Sequence, residues 1–157
     1  MKKPSEPKPS SQQHSNRCVF VDRSLGSKKI PDAIRALGIR VEIHDDHFSR
    51  DEDDTVWLSY CGANGWIVLT KDERIRRDPS EIRAVAASGA HAIFIGRQDV
   101  TAEQMIADLM PALPKLLRKM SLAGEPLFAV IHKGGRVDWL RIADTGPQPR
   151  FVTTRSI

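Results

Sequence analysis

Four short apolar runs, CVFVD (18–22), IRVEIHD (39–45), WIVLT (66–70) and HAIFIG (91–96), alternate with stretches of helical spacing. No other feature restricts the fold as tightly. In IPDAIRALG, Ile30, Ile34 and Leu37 fall on one helical face and Gly38 stands where a C-terminal cap is needed. In DTVWLSYCGANG, Val56, Trp57, Tyr60 and Cys61 keep the same spacing, with Asp53 or Asp54 placed to cap the start. PSEIRAVAASG opens with Pro79, a residue suited to a first helical turn. TAEQMIADLMPALPKLLRKM begins with a capping box, Thr101 with Gln104, and carries Pro111 and Pro114, which are expected to kink or break the helix. LFAVIHKGGRVDWLRI reads as a hairpin turning at Gly134–Gly135.

The order is β-α-β-α-β-α-β-α followed by a hairpin. Nearly continuous apolar strands alternating with helices predict a three-layer α/β/α sandwich around a mainly parallel sheet. The second run alternates apolar and polar, so it belongs near an edge. Right-handed crossovers place every β-to-α loop on one sheet edge, outside the carboxyl ends of the strands, where such sheets bind ligands.

A length of 157 residues with 40% apolar content suits one domain. Residues 1–16, rich in Pro, Ser, Lys and Gln, are expected to be a disordered tail; 17–143 form the domain, and 144–157 are expected to be a loosely ordered C-terminal tail. Residues 1–17 hold Lys2, Lys3, Lys8 and Arg17 against Glu6, three of the four net positive charges of the chain, so 18–157 keep only one. A basic total is therefore no argument for nucleic acid by itself. Cys18 and Cys61 fall in apolar and helical segments and read as small buried residues, not as a disulfide framework. No apolar run reaches the ~20 residues of a membrane helix, and the N-terminus lacks the apolar centre of a signal peptide. A reducing cytoplasm is the expected compartment.

Charge inside the domain is patterned. Seven acids (Glu42, Asp45, Asp46, Asp51, Glu52, Asp53, Asp54) stand against Arg50, and then Lys71, Arg74, Arg76 and Arg77 crowd around Asp72 and Glu73. Asp22 ends the first strand, Asp45 and Asp46 end the second, Asp54 starts the next helix and Asp72 follows the third strand. Any one of these acids has an ordinary explanation as a cap or an ion-pair partner. Together they place carboxylates from four chain segments on one edge. Like charges held close raise each other's pKa, and a divalent cation relieves them. Oxygen donors without cysteines or paired histidines at ligand spacing suit Mg²⁺ or Mn²⁺ rather than Zn²⁺. Such a pocket beside arginines suits phosphodiester hydrolysis.

VFVDRSLG, HDDHF, DDTVWL and VLTKDERIRR, in this order and spacing, resemble the PIN-like domain of VapC-type toxins in its compact branch, over about Cys18 to Leu140. The resemblance implies an α/β/α sandwich and a Mg²⁺- or Mn²⁺-dependent endoribonuclease, the toxin of a toxin–antitoxin pair. It carries the catalytic acids onto Asp22, Asp54 and Asp72. Asp53 is the alternative to Asp54, Asp45 is the favoured auxiliary metal ligand, and Asp78 and Asp99 are weaker candidates for a fourth acid. Arg23, Lys71, Arg74, Arg76 and Arg77 are expected to hold RNA phosphates. RNA, a cognate antitoxin and a second copy of the chain are the implied partners, with no membrane.

Two other readings compete. A non-catalytic PIN-like module would bind RNA or protein, and its acids would not converge. A receiver-like phospho-acceptor domain fits less well, because Asp72 lies two residues past its strand and HAIFIG ends in glycine. His44 and His47 read as hydrogen-bonding partners of the acids. Trp57, Trp66, Trp139 and the Leu109, Leu113, Leu116, Leu117 stripe read as core.

Overall fold

Each of the apolar runs becomes a strand in the computed structural model, which describes residues 17–143 and 148–154. The tail expected at 1–16, and segments 144–147 and 155–157, lie outside the described residues. Strand β1 (Val19–Val21) lies one place in from the edge, between β2 (Val41–Ile43) and β3 (Ile67–Thr70), and pairs with both in parallel. Strands β4 (His91–Ile95) and β5 (Phe128–Ile131) extend it in parallel, and β6 (Val137–Ala143) and β7 (Arg150–Thr154) close it antiparallel, in the order β2-β1-β3-β4-β5-β6-β7. The half-polar run is the edge strand β2, as its alternation predicts.

Side chains alternate between the faces of the sheet and build one core on each. Val19, Val21, Ile67, Leu69, Ile93, Ile95, Ala129 and Ile131 pack on α1 (Lys29–Arg35) and on a long C-terminal helix. Phe20, Val68, Ala92, Phe94, Phe128 and Val130 pack on α2 (Asp54–Ala63), α3 (Glu73–Arg77) and α4 (Pro79–Ser88). The long helix is α5 (Ala102–Leu122), and its leucine stripe is fully in the core. Full burial of each such side chain contributes about 1.5–3 kcal/mol.

Pro111 and Pro114 do not break α5, contrary to the sequence expectation. Each lacks an N–H for the carbonyl four residues back. The complete Thr101–Gln104 capping box and the long buried face outweigh that loss. Pro111 also seats the β5–β6 turn, where Gly135 has φ 88° and an added Cβ would stand 2.7 Å from the Pro111 Cγ. The sheet runs past residue 143, where the sequence placed the start of a loose tail. Phe151 of β7 anchors this strand by packing at 5.5 Å from the Phe94 ring and 5.2 Å from Phe128.

Both cysteines are buried and free. Burial pushes the Cys18 thiol up to about 11 and the Cys61 thiol higher still, which fits inert core residues. Trp57 and Trp66 are core, and Lys119 lies over the Trp139 ring at 4.3 Å. Among the described residues no helix is long and apolar enough to cross a membrane.

A candidate acidic active site

The carboxyl ends of β1 and β3 are tied together by hydroxyls. The Asp22 N–H donates to the Leu69 carbonyl at 3.0 Å, which carries Asp22 straight off β1 beside β3. Its Oδ2 accepts hydrogen bonds from Ser24 Oγ and Thr70 Oγ1, both at 2.8 Å. The Thr70 hydroxyl in turn accepts the Asp72 N–H at 3.0 Å. One threonine thus fixes the spacing of two acids from strands that are far apart in sequence. Asp22 is buried, at 8% exposure.

Asp72 caps α3. Its Oδ1 accepts the Arg74 N–H at 2.9 Å and Arg74 Nε at 3.2 Å, and its Oδ2 accepts Arg74 Nη2 at 2.9 Å. Partial burial would raise the Asp72 carboxyl, but the Arg74 hydrogen bonds and charge outweigh it and hold the pKa below its ordinary value. The cap also means that the basic segment is helical. Helical geometry separates its arginines. Ile75 is buried, Arg76 is half-buried 5.9 Å from the Phe94 ring centroid, and Arg77 pairs with Glu73 at 3.4 Å.

Asp54 is the first residue of α2, and its Oδ1 accepts the indole N–H of buried Trp57 at 2.8 Å. Asp53 is the N-cap but makes no side-chain cap bond. These elements surround an open cavity of about 480 Å³ lined by Asp22, Ser24, Asp51, Glu52, Asp54 and Asp72, with His44 and Trp57 at its wall and Arg23, Arg50 and Arg74 beside them. The structure therefore brings Asp22, Asp54, Asp72, Arg23 and Arg74 to one place. Lys71, Arg76, Arg77, Asp53, Asp78 and Asp99 are not in the lining. Neither is Asp45, whose carboxylate is taken by Arg23 and His44, both at 3.3 Å. His47 bonds Glu42 at 2.8 Å.

Glu81 was not singled out in the sequence. It stands on the first turn of α4, the helix packed against α2. Its Oε2 is buried with no hydrogen-bond partner. Burial, then the charges of Asp54, Asp78 and Asp72, push the Glu81 carboxyl up to about 7. A glutamate at the start of a helix is common enough to carry no signal; only the packing of α4 on α2 exposes its role.

Hard carboxylate oxygens with no sulfur donor in the lining fit Mg²⁺ or Mn²⁺. The raised Glu81 carboxyl reflects, after its burial, the negative charge that Asp54, Asp78 and Asp72 gather beside it. As the side chains stand, no three His, Cys, Asp or Glu groups among the described residues form a ready ligand set. Arg74 engages Asp72, Trp57 engages Asp54, and Ser24 and Thr70 engage Asp22.

Residues 18–97 match the model of a family described as PIN like domain. Over 118 residues the chain is 32% identical to a Mycobacterium tuberculosis (strain H37Rv) protein named "Putative ribonuclease VapC45", covering 73% of this chain and 85% of the relative. No solved structure matches the chain.

Proposed function

The chain belongs to the PIN-like domain family in its VapC-type branch, and on that footing we propose that it is a metal-dependent endoribonuclease, the toxin of a toxin–antitoxin pair. The observation that carries the proposal is the convergence of Asp22, Asp54 and Asp72, from three chain segments, on one cavity with Arg23, Arg50 and Arg74 at its side. The three aspartates would hold Mg²⁺ or Mn²⁺. The bound ion supplies the Lewis acidity that activates water and offsets charge on the phosphodiester oxygens.

The chain's own groups do the rest. Ser24 and Thr70 keep the Asp22 carboxylate turned to the strand ends. Arg23, anchored on the Arg50 carbonyl at 2.7 Å, and Arg50 present cations beside the cavity for flanking phosphates. Arg74 is 81% exposed, so its guanidinium can leave Asp72 for an RNA phosphate at little cost. Arg76, Arg77 and Lys71 fall away from this surface and are the lesser contacts. RNA is the substrate on this reading, a cognate antitoxin segment covers the cleft, and dimerisation is read by sedimentation.

One observation favours a second reading, a non-catalytic RNA- or protein-binding module: every central acid already has an internal partner and no ready ligand set is formed. Cleavage of a mixed RNA pool separates the two. Purified protein is assayed with Mg²⁺ or Mn²⁺, with EDTA, and as Asp22→Asn and Asp72→Asn. Metal-dependent cutting that falls at least about a hundredfold in both variants is the expected result. Equal cutting by wild type and variants would sink the site assignment, and RNA binding without cutting would favour the module.

A further inference from the structure

On the α5 side of the sheet, the last two strands and the end of α5 carry charge of one sign. Trp139 pairs with Ala129, which packs under α5, so Trp139, Arg141 and Ala143 of β6 share that face. Arg150 and Val152 of β7 lie opposite Ala143 and Arg141 and share it too. Arg141 and Arg150 are therefore diagonal neighbours, roughly 7–8 Å apart, and both are exposed. On the helix, Lys119 lies 4.3 Å from the centre of the half-buried Trp139 ring, and exposed Lys115 stands one turn before it.

None of these four cations pairs with an acid among the described residues. From Leu109 to its end α5 contains no acid, and neither does β7. The acid of β6, Asp138, pairs with Val130 on the other face and is held by His132 and Arg136. Residues 18–157 have a net charge of +1, so four cations on this face leave the remainder at −3. The domain is thus split between an acidic cavity and a basic face. Strands β1 and β6 stand second and sixth in the sheet, four spacings or roughly 19 Å apart. Neighbouring like charges without a counter-charge contribute nothing to the fold. Spread over a helix and two strands, they suit a partner that brings regularly spaced negative charge, as a nucleic-acid backbone does.

We infer that this α5–β6–β7 face is a second RNA contact, remote from the cavity, and that the substrate is an RNA long enough to lie on both. The inference rests on the ribonuclease reading above. Lys115, Lys119, Arg141 and Arg150 hold backbone phosphates of the flanking RNA while the strand to be cut enters the acidic cavity. The contact is independent of the ion.

The test is fluorescence anisotropy of a labelled stem-loop RNA with the full chain in EDTA, over a series of salt concentrations. Wild type is compared with a variant carrying Lys115→Gln, Lys119→Gln, Arg141→Gln and Arg150→Gln, and with one carrying Arg141→Lys and Arg150→Lys. All are exposed positions, so melting temperatures are expected to stay unchanged. Wild type is expected to bind without metal. The glutamine variant should bind at least about tenfold more weakly, with a slope of log K against log salt smaller by about three. The lysine variant keeps the charge and should bind within about threefold of wild type. With Mn²⁺ added, the glutamine variant should cut the stem-loop with a raised KM and an unchanged kcat. Equal affinity and equal slope in wild type and glutamine variant overturn the inference, as does a wild type that binds no RNA in EDTA. A lysine variant as weak as the glutamine variant overturns it as well, because charge would then not be the cause. Poly-glutamate binding as tightly as the RNA would give the face to an acidic protein segment instead. RNA bound in EDTA but not cut by wild type with Mn²⁺ would bring down the ribonuclease reading, and the role of that RNA as substrate with it.

Discussion

Two regions of this fold bury carboxylates, and they treat them in opposite ways. On α5, Asp108 is 3% exposed, and every lobe of its charge is answered. Its Oδ2 accepts Arg97 Nε at 2.8 Å, and its Oδ1 accepts Arg97 Nη2 at 3.2 Å and the Gly134 N–H at 2.9 Å. This acid ties the loop after β4 and the β5–β6 turn to the helix between them. At the far edge, five acids line the cavity against three arginines, and Glu81 waits behind them with an oxygen that nothing satisfies. A carboxylate kept for structure brings its counter-charge with it. A group of carboxylates left in excess marks a place where positive charge arrives from outside.

The sharpest way to break that comparison is the same amide change at both places. Asp108→Asn leaves Arg97 facing a neutral group and is expected to cost about 3 kcal/mol in urea unfolding, by the usual penalty for breaking a buried pair. Asp72→Asn keeps an equally good helix cap and loses only an exposed ion pair, so it is expected to cost less than about 1 kcal/mol. If the two variants unfold alike, the division between structural and surplus acids is wrong.

A smaller effect is expected at Gly62, which belongs to the cavity region through the α2–α4 contact. Gly62→Ala forces the helices apart and is expected to cost about 2 kcal/mol, within the range for overpacked cores. Moving α2 also moves Asp54, so Mn²⁺ affinity should fall together with stability. Asp108→Asn, by contrast, should lower stability and leave Mn²⁺ affinity of the folded protein unchanged. Calorimetric titration of both variants below their melting temperatures decides this.

Much of the cavity region was legible before any coordinates. Apolar runs in alternation with helices fix a parallel sheet, and a parallel sheet delivers Asp22, Asp54 and Asp72 to one edge whatever the details of packing. What could not be read depends on which way a side chain faces after a turn is made. Asp72 nucleates a five-residue helix, and that helix sends Arg76 toward Phe94 instead of toward the cavity. Asp45 looked like a ligand by position but is claimed by Arg23. Glu81 and Asp108 acquire meaning only from a partner helix or a loop remote in sequence. Strand β7 depends on Phe151 finding Phe94 and Phe128 across the sheet, a contact that no local pattern announces.

The smallest effect expected is a difference in the sign of pH dependence. Burial alone would raise the Asp108 carboxyl, but Arg97 and the Gly134 amide hold it below its ordinary 3.8. Its stabilisation is present above that value and is lost as pH falls through the folded pKa. Glu81 runs the other way. Its carboxyl titrates near 7 in the fold and at an ordinary 4.5 when unfolded. Between those values the unfolded chain gives up a proton that the folded chain retains, so stability falls as pH rises from about 4.5 to about 7 and then levels. Metal-free melts of wild type, Glu81→Gln and Asp108→Asn across pH 3 to 8 separate the two. Glu81→Gln should flatten the decline toward neutral pH and leave the acid limb in place, and Asp108→Asn should weaken the acid limb and leave the decline. A decline that persists unchanged in Glu81→Gln would place the surplus charge on some other acid of the cavity.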